Sequence, residues 1–314
     1  MLGLSIKRNI RLAVLAAVML FSWTGTAQAE ELLKPFVLAG IKKGDMAEEA
    51  EKAKSALGAA GFKVLGSYSP YEGATVICAT SDALMDAAAK VDKGGFGAVL
   101  RVALTQGEDG VQLSYVNPVY MGIAYGLGDL GGVADALKTA LGAEGEFGSK
   151  GVKKKKLRRG KYHYMFGMPY FDDVVELVTY KDYETGVAAA EKNLAAGKGG
   201  TRKVYRLDLP GKEVTVFGVA IPKGDGPDKG AKDTDKEIMD IIDFQKVRST
   251  AYLPYEFMIV GNKAIALHGR YRIALHFPDT KMMGEHGFTK IMSSPGGIAK
   301  ALRAAAGGKE ESES

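Results

Sequence analysis

Ala50-Glu51-Lys52 returns as Ala190-Glu191-Lys192, Lys63-Val64 as Lys203-Val204, Pro70 as Pro210 and Thr75-Val76 as Thr215-Val216, each pair 140 positions apart. A constant, gapless spacing marks an internal duplication: whatever one half folds into, the other should fold into as well. Farther on, Gly131-Gly132-Val133-Ala134 with Ala136-Leu137 comes back as Gly296-Gly297-Ile298-Ala299 with Ala301-Leu302, now 165 positions apart. The second copy thus carries 165 − 140 = 25 more residues, many expected in the Gly-, Asp- and Lys-rich stretch 223–236, which reads as a solvated loop.

Each copy reads in one order. A short strand (36–39; 174–179) leads into an alanine-rich helix (46–57; 183–195), then two strands (62–68 and 74–80; 203–209 and 214–221), a short helix (83–91; 236–244), a hairpin and a closing helix (133–141; 298–305). The first hairpin turns at Asp109-Gly110, between alternating runs. Strands bunched between helices argue for an α+β fold with antiparallel sheets.

The division expected is a leader over 1–29, a first repeat domain over 30–145, a basic Gly/Lys linker over 146–161, a second repeat domain over 162–309 and an acidic tail over 310–314. Lys7, Arg8 and Arg11, the apolar run 12–21 and Ala27-Gln28-Ala29 read as an export signal cut after Ala29, which places the mature chain in the periplasm. The apolar run is short for a membrane-spanning helix, and none like it recurs. Losing three cations takes the formal charge from +5 to +2, too near neutrality for a nucleic-acid partner. One cysteine, Cys78, permits no internal disulfide and reads as a small buried hydrophobe.

Leu253-Pro254-Tyr255, Phe257-Met258-Ile259-Val260, a Gly261-Asn262 turn and the run Ala264 to Phe277 closed by Pro278 resemble the hairpin of the domain-of-unknown-function 302 family. The first copy is similar through Gly61-Phe62-Lys63-Val64, the hairpin from Ala98 to Val116 and Asn117-Pro118, but has Gly94-Gly95-Phe96 where the second has Leu253-Pro254. The resemblance implies two tandem β-α-β(4)-α domains with helices on one sheet face, like the TATA-binding-protein-like folds, and implies no activity.

All four histidines lie in the second copy. Read as a strand, 264–277 puts Ile265, Leu267, Tyr271, Ile273, Leu275 and Phe277 on one face and His268, Arg270, Arg272 and His276 on the other, with Glu256 nearby. Two guanidiniums and two imidazoles could grip a small carboxylate or phosphate; a half-solvated sheet face paired with acids such as Glu256 is the plainer reading. A second set, His163, Met165 and Met168 with Met282, Met283 and His286, has thioether and imidazole ligands suited to copper, or axial groups for haem, although packing between domains explains such segments too. Lys153 to Lys156, Arg158, Arg159 and Lys161 read as a solvated, flexible connection, or as an attachment to an acidic protein or anionic lipid surface.

Gly126-Leu127-Gly128-Asp129-Leu130-Gly131 satisfies GxGxxG but lacks the strands a dinucleotide site needs, and reads as the start of the closing helix. Asp233, Asp235 and Glu237 alternate like a calcium loop, yet Ile238 stands where that loop needs glycine, so they read as a solvated acidic loop. No hydrolase, zincin or P-loop motif is present; a general base at His163, served by Asp172 or Asp173, or at His268 would need the fold to assemble it. The expected role is a non-enzymatic binding or accessory protein for a small anion or a metal, the alternatives being a copper or haem carrier and a histidine-based hydrolase or isomerase.

Overall fold

In the computed structural model, residues 31–222 and 233–308 are described. The leader, most of the 223–236 loop and the acidic tail lie outside the described residues. The chain runs β1 (Leu32–Leu33), β2 (Phe36–Lys42), α1 (Met46–Ala59), β3 (Lys63–Tyr68), β4 (Ala74–Thr80), α2 (Asp82–Ala89), β5 (Leu100–Gly107), β6 (Gly110–Val116), α3 (Pro118–Tyr125), α4 (Gly131–Leu141) and β7 (Gly145–Phe147). After β8 (Val152–Lys153) and α5 (Lys154–Leu157) it continues through β9 (Val175–Thr179), α6 (Tyr183–Ala195), β10 (Arg202–Asp208), β11 (Val214–Ala220), α7 (Asp235–Ile242), β12 (Tyr255–Val260), β13 (Lys263–Ala266), α8 (Gly269–His276) and α9 (Ser294–Ala306).

Local chemistry places the helix starts. Asp45 accepts from the N–H groups of Ala47 and Glu48 at the head of α1, and Asp182 accepts from Thr185 at the head of α6. Ser81 caps α2, while Thr234 and Glu237 bond reciprocally to cap α7. Asn117 caps α3, whose first residue is Pro118.

Beside a two-stranded β1-β8 pair, the strands form two larger antiparallel sheets, ordered β3-β4-β5-β6-β2-β7 and β10-β11-β12-β13-β9, so that without β7 the two orders are the same sequence of equivalents. The fold is α+β, with nine α-helices among the described residues. Helix α1 packs on the first sheet, and α6 and α9 pack on the second. The 3-10 turn Thr250–Tyr252 lies against β4, β5 and β6, while its counterpart Gly94–Gly97 lies against β11 and β12, so each half inserts a turn into the other. One apolar core runs through both halves.

The second copy's extra residues sit in two places. Between β11 and α7 there are 14 residues (221–234) where the first half has Ser81 alone, and between α8 and α9 there are 17 (277–293) where the first half has five (126–130).

Three expectations are corrected. The run 264–277 is a strand only to Ala266; α8 follows, capped by His268, whose Nδ1 accepts from the Arg270 N–H. Residues 271–276 are buried all round the helix, so from Tyr271 onward members of both alternating sets are covered and the alternation carries no sheet face. The 146–161 linker is tied down rather than a free connection: β8 pairs with β1, Leu157 is fully buried, and Arg159 binds Asp172 and the Asp92 carbonyl. Asp235 is not in a solvated loop but fully buried at the head of α7, where it accepts from the Ile221 N–H and the Tyr68 hydroxyl. Burial pushes its carboxyl up to about 7.

Candidate functional site

Arg101 and Glu256 occupy equivalent positions in the two halves: Arg101 pairs across the ladder with Cys78, and Glu256 with Gly218, 140 residues on. They meet in the interior, Arg101 Nη1 donating to Glu256 Oε1 at 2.8 Å with both side chains 2% exposed. The Tyr205 hydroxyl donates to the same oxygen at 2.6 Å. Its ring reaches Glu256 because position 218 is glycine: a Cβ there would lie 2.0 Å from the ring. Burial works against the Arg101 charge, and Glu256 more than offsets it, so Arg101 is held firmly as a cation.

The duplication orders the surrounding groups as well. Tyr120 and Tyr271 are the third residues of α3 and α8, and each donates to the seventh-residue carbonyl of the other helix, Tyr120 to Leu275 at 2.8 Å and Tyr271 to Ala124 at 3.5 Å. The eighth residues are Tyr125 and His276. The Arg272 carbonyl can only accept, so His276 donates to it through Nδ1 at 2.9 Å, leaving Nε2 to face Arg101 Nη2 at 3.4 Å. Burial, then the Arg101 and Arg272 cations, hold His276 neutral, its pKa well below the ordinary histidine value. Arg272 is buried too, donating to the Tyr252 and Pro254 carbonyls and lying over the Tyr252 and Tyr255 rings at 4.5 and 5.0 Å.

Of the five residues expected on one basic face, Glu256, Arg272 and His276 therefore lie in this sealed interior, where Arg101 is the cation nearest Glu256. His268 is half-buried at the α8 cap, where burial and then Arg270 lower its pKa. Arg270 alone is exposed, and its guanidinium has no hydrogen-bond or ion-pair partner among the described residues.

Arg270 stands on a shallow groove, partly open to solvent, whose apolar walls include Tyr164, Met168, Phe277, Met282 and Phe288. Its floor is the α8 face carrying Ile273 and Ala274. The Tyr162 hydroxyl donates to the Ala274 carbonyl and the Tyr164 hydroxyl to the Thr280 carbonyl, both at 2.6 Å, fixing one wall to the other. Its case as a binding site rests on chemistry rather than size: a mostly apolar lining with one converging charge. A second, narrower pocket, lined by Leu84, Phe96 and Met121, ends on Arg101 and Tyr125, but Arg101 is already bound to Glu256.

The groove collects Met168 and Met282 from the expected metal set and leaves the rest outside. His163 is stacked near Tyr170 with Nδ1 on the Met165 carbonyl; His286 stacks on Phe244 with Nδ1 on the Ile241 carbonyl. Met165 and Met283 are exposed. No group of three or more His, Cys, Asp or Glu suited to a metal ion occurs among the described residues. His163 is not paired with the neighbouring acids: Asp172 is held by Arg159, which lowers its pKa, and Asp173 accepts from the Tyr170 N–H. Cys78 is fully buried, its thiol pKa pushed up by burial.

Sequence reasoning missed α8, and with it the groove. The available signal was Asn117-Pro118 in the first copy, a cap followed by a first-turn proline, which announces α3 and by duplication its partner. Comparison with models of protein families, with curated proteins and with solved structures finds no match to this chain, so its function is argued from its own side chains.

Proposed function

We propose that the chain is an exported, non-enzymatic binding or accessory protein whose second half holds a small anion with an apolar body. The apolar part would lie along Met168, Phe277, Met282 and Phe288, and the anionic head would meet Arg270. The observation that carries this reading is the Arg270 guanidinium, without a hydrogen-bond or ion-pair partner among the described residues, on a mostly apolar groove, since a planar, permanently charged fork suits a carboxylate or phosphate. The leader-like pattern of Lys7, Arg8 and Arg11, the apolar run 12–21 and Ala27-Gln28-Ala29 supports export, and a doubled module of the domain-of-unknown-function 302 type is the proposed ancestry.

Met168 and Met282 in one groove favour a second reading, a thioether site for Cu(I). Two things weigh against it: Arg270 opposes a further cation there, and neither His163 nor His286 lines the groove. The same absence of an imidazole weighs against haem. A hydrolase or isomerase is disfavoured because His163 lacks an orienting acid and His268 spends Nδ1 on a backbone N–H.

Native mass spectrometry of protein exported in its own host, followed by titration with dodecanoate, tests the proposal. The expected result is one bound dodecanoate per chain, with Arg270→Ala weakening it about tenfold or more, the loss of a charge-assisted hydrogen bond. Unchanged binding by Arg270→Ala, or retained copper and no dodecanoate binding, would overturn it.

A further inference from the structure

The rim of the groove carries apolar side chains aimed at solvent. Phe166 is 98% exposed and Met283 78% exposed, and Met165 is also exposed. Each belongs to a built turn. In the first, Met168 N–H returns to the Met165 carbonyl, the His163 and Tyr170 rings meet at 4.5 Å across its base, and Gly167 takes the left-handed conformation (φ +79°) that an ordinary residue disfavours. Tyr164 and Met168, on either side of Phe166, both face the groove. In the second turn, the Phe288 and Thr289 N–H groups return to the Lys281 and Met282 carbonyls, leaving Met283 beside the wall residue Met282.

Large apolar side chains held outward by ordered turns on both sides of one cleft mark an interaction surface. Its charged neighbours say what kind. Arg270 lies on the groove, exposed Lys281 and Lys290 flank the second turn, and exposed Lys156, Arg158 and Lys161 precede the first. Acidic Glu285 and Asp279 share the second turn's strip, Asp279 being engaged by the Lys150 N–H. Exposed Asp172 and Asp173 follow the first turn, Asp172 being held by Arg159. Apolar tips on segments whose cations outnumber their acids fit the interface of an anionic lipid bilayer, where the tips enter the acyl boundary and the cations meet headgroups.

We infer that the face bearing Phe166 and Met283 docks on anionic membrane surfaces, so that the groove takes up or delivers its amphiphilic anion there. The inference rests on the binding role proposed above for the same groove, and its test separates the two.

The mature protein is sedimented with phosphatidylcholine vesicles and with vesicles containing about one-third phosphatidylglycerol, at low and high salt, while dodecanoate binding is measured in the absence of vesicles. The wild type should bind the anionic vesicles at least tenfold better than the neutral ones, and salt should release it. Phe166→Ser/Met283→Ser should lose at least tenfold in vesicle binding with unchanged thermal unfolding and dodecanoate affinity. Arg270→Ala should lose dodecanoate while keeping most vesicle binding. Equal binding to both vesicle types, full vesicle binding by the double variant, or a wild-type dimer that the double variant dissociates would overturn the inference. Vesicle binding without dodecanoate binding would sink the groove's proposed ligand instead.

Discussion

The equivalent faces of α3 and α8 are covered in different ways. On α3, the place of a Cβ at Gly122 lies 3.1 Å from the Leu130 side chain, Gly126 abuts the Arg159 stem, and the Arg159 N–H donates to the Ile123 carbonyl. On α8 the counterparts 151 residues later, Ile273, Ala274 and Phe277, line the groove. The cause is in the connections. Five residues follow α3 and fold straight back over it, and α5 with Leu157 packs alongside; 17 residues follow α8 and build a wall set away from it. One module, used twice, thus gives a face packed directly by its own short connection and α5 in one half and a groove beneath a longer loop in the other. Duplication kept the scaffold, and a longer loop supplied the opening.

The strongest way to break the comparison is at the ion pair that joins the halves. Arg101→Met leaves Glu256 buried without its cation, which should cost about 3–5 kcal/mol in urea unfolding, with Arg101→Met/Glu256→Met recovering a large part of it. A loss below about 1 kcal/mol would mean that the interior pair does not clamp the halves. Next comes the sealed face: Leu157→Ala removes a fully buried anchor and should cost about 2–5 kcal/mol, whereas Phe166→Ser, on the open side, should stay within about 0.5 kcal/mol. Equal costs would remove the distinction between covered and open faces. The smallest effect sharpens the symmetry itself. Tyr120→Phe should cost about 1 kcal/mol and Tyr271→Phe less, because the equivalent bonds measure 2.8 and 3.5 Å. The reverse order, measured the same way, would show that the two helices are not held as described.

Much of the scaffold was legible because it rests on local signals. The helices Met46–Ala59 and Tyr183–Ala195 announce themselves by caps and alanine-rich spacing, and the hairpin expected at Asp109-Gly110 turns one residue earlier, at Glu108-Asp109, with Gly110 opening β6. The duplication in the sequence reappears as two sheets of matching strand order. Helix α8 was illegible for a physical reason: past Arg270 its residues 271–276 are buried whichever way they point, so its apolar pattern has no helical period, and Ile273, Leu275 and Phe277 alternate as a strand would. The Arg101–Glu256 pair joins residues 155 positions apart, which nothing in either strand's own sequence announces. The groove depends on a loop wall from Thr280 to Phe288, whose side chains read equally as packing.

The groove on α8 can be filled from its floor. Ala274→Phe places a ring where the first half is already filled. Calorimetric titration of dodecanoate into this variant and the wild type, both folded by circular dichroism, should show a single saturable site in the wild type and at least a tenfold loss in the variant. Equal affinity in the two proteins would place the ligand elsewhere and contradict the groove as the functional site.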